Sequence, residues 1–353
     1  MTQSTSTPQS RAAATRYRQA TWRSEFMKGS AANILILSTL ILVGTIFGSL
    51  YAPDAFPFYS TGNLAVLSQQ IPVIAMMAIG AGILMIAGEF DLSVAGVYTI
   101  CPYVVASAYN EASWPLIPAI LFSFVLAGII GLTIGLVTTR MRVPSFIASL
   151  GMMFFLRGIV RWFSIDEATG QPGAIQPEAP EWLTWALSGQ VVGPLHMQTV
   201  WLIVLGLCAW VLLNRHSFGN HVYATGGDPE SAEKNGINTQ RTKLIAFMLC
   251  SCCAAFAGLM QAVRINVIDP GQTLTGLELQ AIAAAVIGGT YLFGGRGAIL
   301  GMVLGAVLLV AVENILLLVR APGEYMPVFI GTIVIVSVIM NTNFGSGQGR
   351  RSS

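Results

Sequence analysis

Three carboxylates stand where apolar sequence surrounds them. Glu89 and Asp91 follow a charge-free stretch from 55 to 88, and Glu313 lies between the apolar runs 297–312 and 315–319. Acids in such settings serve ion or proton coupling, or hold structure together. Glu89 and Asp91 are two residues apart and point in different directions on a helix, so they do not form a paired acid and base. Asp91 has a structural reading that takes precedence: it can accept backbone N–H groups of a helix starting near Leu92 or Ser93. Glu89 either lines a polar route or sits at a membrane interface. Glu313, with Asn314 beside it, faces a polar interior or a partner, and a structural hydrogen bond serves it as well as contact with a substrate.

The remaining residue types exclude several chemistries. His196, His216 and His221 are scattered in or near loops, and Cys101, Cys208, Cys250, Cys252 and Cys253 all lie in apolar runs. No metal site is expected from these spacings, and buried cysteine acts mostly as a small apolar residue. No Ser/His/Asp or Cys/His set can be assembled, so no catalytic residue is assigned and the chain is not expected to be an enzyme. The Gly-rich segment 288–301 is not a phosphate loop. A Walker A motif ends in Gly-Lys-Ser or Gly-Lys-Thr, whereas Lys28, Lys234 and Lys243 follow Met27, Glu233 and Thr242. Its glycines suit a tight turn and close helix approach instead. The basic residues are dispersed and not interleaved with aromatics, which argues against nucleic acid as a partner.

The elements that carry these residues are membrane helices. Of the 353 residues, 54% are hydrophobic and only 10% charged, against about a quarter charged in soluble domains. Crossing the hydrocarbon takes about 20 apolar residues as a helix. The charge-free runs predict an all-α polytopic membrane protein with about ten helices, near 32–50, 64–87, 94–109, 114–138, 145–163, 198–214, 244–264, 278–293, 298–318 and 325–341. Residues 1–29 read as a disordered cytoplasmic tail, 30–342 as the transmembrane domain, and 343–353 as a second cytoplasmic tail. With the N-terminus inside, only Arg157, Arg161, Arg264 and Arg320 of the 18 Lys and Arg fall outside or near outer ends. That bias follows the positive-inside rule and leaves both termini cytoplasmic. The long acidic stretch 165–197 is then external and 215–243 internal.

A faint internal repeat accompanies this layout. Val143 to Ile147 (VPSFI) is echoed by Met326 to Ile330 (MPVFI), and a Gly-containing break precedes each, at 88–96 and 288–297. Matching interruptions in two halves point to a transport pathway. In so apolar a chain the echo could also arise by chance. Glu89, Asp91, Ser93, Glu313 and Asn314 are the candidate pathway residues.

The internal stretch 215–243 carries its own signal. Asp228-Pro229 reads as an N-cap with a first-turn proline, and Asn235-Gly236 as a helix stop. The helix between them has about two turns and is marginal unless something packs on it. This predicts a cytoplasmic docking element over Gly227, Asp228, Pro229, Glu230, Ala232, Glu233, Asn235 and Gly236.

Several runs, in order from about residue 60 to 340, resemble the permease subunits of ribose-type ATP-binding-cassette sugar importers. They are Gly88 to Gly96 (GEFDLSVAG), Val143 to Met152 (VPSFIASLGM), Tyr223 to Ala232 (YATGGDPESA), Asn235 to Asn238 (NGIN), Leu277 to Gly289 (LELQAIAAAVIGG) and Gly294 to Gly301. Family members often read Gly-Gly-Ile-Asp-Leu-Ser-Val-Gly where this chain has Glu89 and Ala95 in place of glycines. The resemblance implies a permease pair of identical or paralogous subunits, two cytoplasmic ATPase subunits and a periplasmic sugar-binding protein, in the bacterial inner membrane. It makes Gly227 to Gly236 the coupling helix seated in a groove of the ATPase, with Glu230 and Glu233 free to meet basic groups there. It also implies that ATP and Mg are bound by the partners, with no cofactor on this chain, and that a monosaccharide such as ribose, xylose or fructose is moved by alternating access. An ion-coupled secondary transporter is the competing reading, since Glu89, Asp91 and Glu313 are available for coupling.

Overall fold

The computed structural model describes residues 43–51, 56–166, 169–270 and 276–320, with isolated positions 39, 325, 328, 331, 332 and 335. Residues 43–51 are helical. The helices that follow are α1 (Thr61–Ile86), α2 (Val94–Asn110), α3 (Leu116–Arg140), α4 (Ser145–Phe163) and α5 (Glu181–Ser188). A small antiparallel hairpin, β1 (Gln190–Val192) and β2 (Leu195–His196), leads into α6 (Met197–Asn214). Then come α7 (Ser217–Gly227), α8 (Pro229–Lys234), α9 (Thr239–Ile265), α10 (Leu277–Ile287) and α11 (Ile299–Leu318). Both tails, most of the span expected at 325–341, most of the first part of that at 32–50, and all of the echo Met326 to Ile330 except Val328 lie outside the described residues.

Helix α1 is the axis of the bundle. Its N-cap Ser60 accepts from the Asn63 N–H, and every residue from Pro72 to Ile86 is buried. Helix α9 packs across α1, α2 and α3, while α10 and α11 cover another side of α1. Helices α4 and α6 are peripheral and leave Phe154, Phe155, Ile203 and Leu207 exposed on apolar surfaces. Lipid tails are as apolar as these side chains, so burial alone does not hold the spans together; close packing at small residues does. A side chain at Gly258 of α9 would collide with the Tyr98 carbonyl of α2, and one at Gly131 of α3 would come within 2.6 Å of the Phe247 carbonyl.

Among the described residues six helices are long and apolar enough to cross a membrane: α1, α3, α4, α6, α9 and α11. The limits of the described helices differ from the sequence reading by a few residues, with two exceptions. Helix α9 begins at Thr239 rather than 244, because the Asn238 side chain accepts from the Arg241 N–H and caps it early. The span expected at 278–293 is corrected to α10, which stops at Ile287. Gly288 ends it, Gly289 follows with φ +87°, and residues 288–298 are not helical. Eleven residues reach about 16 Å, half the hydrocarbon thickness. Non-helical backbone at such a place is tolerated only inside protein, and Thr290 is fully buried.

The described residues of 165–197 are held by contacts to α1 and to the end of α9. Ile175 and Ile268 exchange two backbone hydrogen bonds of 2.9 Å, and Ser68 Oγ donates to the Pro194 carbonyl at 2.7 Å. These tie the stretch to the ends of α9 and α1 opposite α8.

Close approach at Gly258 generates a stability prediction. Gly258→Val should lower the stability of the detergent-purified chain by about 1–3 kcal/mol through overpacking, seen as a fall in the thermal unfolding midpoint. Gly151→Val, whose added carbon meets nothing within 4 Å, should leave the midpoint unchanged. Equal effects of the two would refute the packing argument.

Candidate functional site

The segment 215–243 forms two successive helices and the first turn of a third. His216 starts α7 by accepting the Phe218 N–H on Nδ1, and Phe218 and Val222 bury one face of that helix. Asp228 then ends α7 and caps α8: Oδ1 accepts the Ser231 N–H at 3.0 Å and Oδ2 accepts the Ser231 hydroxyl at 2.6 Å. These bonds hold the Asp228 carboxyl below the usual carboxylate range, so the cap stays charged at neutral pH. Pro229 occupies the first turn, where its missing N–H costs nothing. After Asn235, Gly236 takes φ +82° and the Ile237 N–H returns to the Ala232 carbonyl. The cap and the stop read from the sequence are both present. The helix does not stand alone, however: α7 precedes it without a linker, a helix hidden in the sequence by its polar, glycine-containing composition.

From Gly227 to Gly236 every residue is exposed except Ala232, which is 4% exposed. Glu230 pairs with Lys234 at 2.7 Å, and Glu233 accepts from the Thr239 hydroxyl. Both carboxylates expected to meet basic groups of a partner therefore already have partners within the chain. The Glu230–Lys234 pair is solvent-exposed and worth well under about 1 kcal/mol, so exchange for another partner is cheap.

Behind this exposed helix lies a junction of three chain segments made almost entirely of glycine. Gly88 follows α1, Gly226 and Gly227 end α7, and Gly294 and Gly295 lie in the turn between α10 and α11. The Gly295 N–H donates to the Ile86 carbonyl at 2.8 Å, and the Tyr223 hydroxyl donates to the Gly297 carbonyl at 2.8 Å. A side chain at Gly226 would strike the Ile86 carbonyl. One at Gly294 would lie 2.6 Å from the Gly226 carbonyl and 3.0 Å from the Gly88 Cα. Backbone meets backbone here. The doublets at 226–227 and 294–295 were the visible signal, though nothing in the sequence paired them.

The same end holds three of the candidate pathway residues. Glu89 forms a 2.6 Å ion pair with Lys243 on the first turn of α9, with side chains 12% and 21% exposed. Asp91, expected to cap the helix, instead accepts the N–H of Ser93 at 2.7 Å, in the turn just before α2 starts at Val94, and reaches no N–H of the helix itself. Ser93 is itself the residue before α2, and its hydroxyl makes no cap. Glu313 and Asn314 are at the other end. Gln280 of α10 donates to Glu313 at 2.8 Å, and Asn314 exchanges two amide hydrogen bonds with Asn63 at 2.8 and 2.9 Å. The five candidates therefore form two groups at opposite ends of the bundle.

Two further polar contacts escaped the sequence reading. Arg157 of α4 pairs with Glu278 of α10 at 3.4 Å, and Arg264 of α9 donates to Gln69 of α1 at 3.1 Å. Each joins residues more than a hundred positions apart, which no local pattern reveals.

The chain has clear relatives. Ribose import permease protein RbsC of Escherichia coli (strain K12) is 31% identical over 309 residues, covering 87% of this chain and 92% of the relative. Autoinducer 2 import system permease protein LsrC of Escherichia coli (strain K12 / DH10B) is 32% identical over 285 residues, or 80% of each chain. LsrC of Yersinia pseudotuberculosis serotype O:3 (strain YPIII) is 31% identical over 312 residues, covering 86% and 83%. No solved structure matches the chain. Residues 63–338 match the family described as branched-chain amino acid transport system / permease component, which takes in α1 to α11, the glycine junction and α8. The chain belongs to that family of membrane permeases.

Proposed function

We propose that this chain is the permease subunit of an ATP-binding-cassette importer that carries a monosaccharide into the bacterial cytoplasm. The observation that carries the reading is α8: a capped, exposed helix rooted on a glycine junction that touches the ends of α1, α7 and the α10–α11 turn. The names of the relatives, ribose and autoinducer-2 import permeases, support import of a small polar solute. In this reading Gly227 to Gly236 is the coupling helix, seated on a cytoplasmic ATPase subunit. Two ATPase subunits bind ATP and Mg, a second permease copy or paralogue completes the pathway, and a periplasmic sugar-binding protein delivers the substrate. Both termini are cytoplasmic, on the same side as α8.

The mechanism follows from how a push on α8 would spread. ATP binding favours one of two arrangements and does nothing else to the permease. Closure of the ATPases displaces α8. The displacement passes through Asp228 to α7, then through Gly226, Gly294 and Gly88 to the ends of α1 and the α10–α11 turn. Glu89–Lys243 adds a direct strut from the break after α1 to the start of α9. The spans move as rigid bodies, and access alternates between the two sides of the membrane. The polar groups at the far end, Asn63–Asn314, Gln280–Glu313 and Arg157–Glu278, are the ones such a movement would rearrange.

Ion-coupled transport is the weaker reading. Glu89 is paired with a lysine and Glu313 is held by a glutamine, and both hydrogen bonds join packed elements. Neither acid needs a coupling ion to explain it.

Three outcomes test this function. Uptake of labelled ribose by vesicles containing the assembled transporter should stop on ATP depletion with the ion gradient intact; undiminished uptake would establish the secondary-transport alternative. Glu230→Lys and Gly236→Val should leave the permease inserted but lower sugar moved per ATP hydrolysed several-fold, and full coupling in both would remove α8 from the role given to it. Lys243→Met should cost about 1–3 kcal/mol by leaving Glu89 half-buried without its cation, and the double variant with Glu89→Gln should regain most of that loss. If the double variant is no more stable than Lys243→Met, the strut does not exist as described.

A further inference from the structure

A cavity of about 230 Å³ lies at the end of the bundle opposite α8. Its back wall is α2 and α9, through Val105, Leu259 and Val263, each less than 10% exposed. One flank is α3, through Leu116, Ile120 and Phe124, and the other is α6, through Trp201. The strap from Pro177 to Leu187 covers it, with Leu183 and Leu187 of α5 facing inward as part of the lining.

The strap is built to stay in place. Asn110 Nδ2 donates to the Gln176 carbonyl at 2.7 Å, and Asn110 Oδ1 accepts the Glu178 N–H at 3.3 Å. The Trp201 indole N–H donates to the Ala186 carbonyl at 2.8 Å. These bonds use up polar groups at the rim and leave aliphatic and aromatic walls behind them. A buried water needs about two to four polar partners. The interior offers too few for that, and too few for a sugar.

Two features say where an occupant comes from. Among the described residues α3 and α6 share no extended packed interface, although both line the cavity. Beside the gap, Ile117 and Leu121 of α3 and Ile203 of α6 are each more than half exposed, on surfaces that in a membrane helix meet lipid. The depth also fits one leaflet: Leu116 to Phe124 is nine residues, a rise of about 12 Å along α3, against about 30 Å for the whole hydrocarbon core. We infer that this cavity is a binding site for one acyl chain of a phospholipid, which enters sideways between α3 and α6 beneath the α5 strap. The acyl chain acts as a wedge between two spans that share no extended packed interface among the described residues.

The test uses the full chain in vesicles of phosphatidylcholine carrying a diazirine midway along one acyl chain. After irradiation, adducts are located by mass spectrometry. Adducts on Val105, Leu259 and Val263 are expected in addition to those on Ile117, Leu121 and Ile203, since lipid that merely surrounds the bundle cannot reach the first three. Labelling confined to the exposed three would overturn the assignment. Ala262→Leu places extra carbon in the cavity and should reduce the interior adducts several-fold while leaving that on Ile203 intact; unchanged interior labelling in a folded variant would also overturn it. If that variant does not fold, the wild-type adduct map decides alone.

Discussion

Backbone contact without side chains, at the junction of Gly88, Gly226 and Gly294, is the constraint on which the rest of this structure depends. Three polypeptide segments can meet at such distances only where no residue carries a Cβ. The junction fixes where α1 ends, where α7 ends and how the turn between α10 and α11 is placed. It also decides that α8 is presented outward, because the residues just before it are pinned. Similar close approach recurs higher in the bundle, at Gly258 against Tyr98 and Gly131 against Phe247. There it sets the spacing between spans. At the junction it sets the relation between the spans and the exposed helix.

The paired polar side chains at the end opposite α8 answer to a second constraint. In a bilayer every buried donor and acceptor has to find its partner inside the protein. Asn63 and Asn314 answer it by exchanging both halves of their amides, Gln280 and Glu313 by one bond, and Arg157 and Glu278 by an ion pair. The first and the last bridge helices distant in sequence, and the second joins the consecutive helices α10 and α11. These groups are costly to bury and cannot be strong sources of stability. What they contribute is registration: they say how far along one helix another must sit.

Much of this organisation was legible in the sequence, for physical reasons that can be named. Long charge-free runs betray spans because lipid excludes charge, and α4 was bounded at the right residues by Pro144 on one side and polar sequence on the other. Asp228, Pro229 and Gly236 betray α8 because capping chemistry is local. What stayed hidden was either non-local or contrary to composition. Residues 288–293 are apolar enough to extend a span, yet Gly288 and Gly289 stop it. Helix α7 looked like a loop. Glu89 looked unexplained until Lys243, far along the chain, was beside it.

Asp228 belongs to two helices at once, closing α7 and opening α8, so no residue lies between them to act as a hinge. A flexible linker would let α8 tilt on its own and absorb a displacement as rotation about free bonds. With a shared residue the pair behaves as a bent rod with a fixed elbow. Its short arm is the six residues of α8 and its long arm the eleven of α7. Slack is missing at the one place where it would be easiest to introduce, and an inserted glycine–serine pair after Gly227 would cost the Asp228 N–H its bond to the Ala224 carbonyl and so disconnect the two arms.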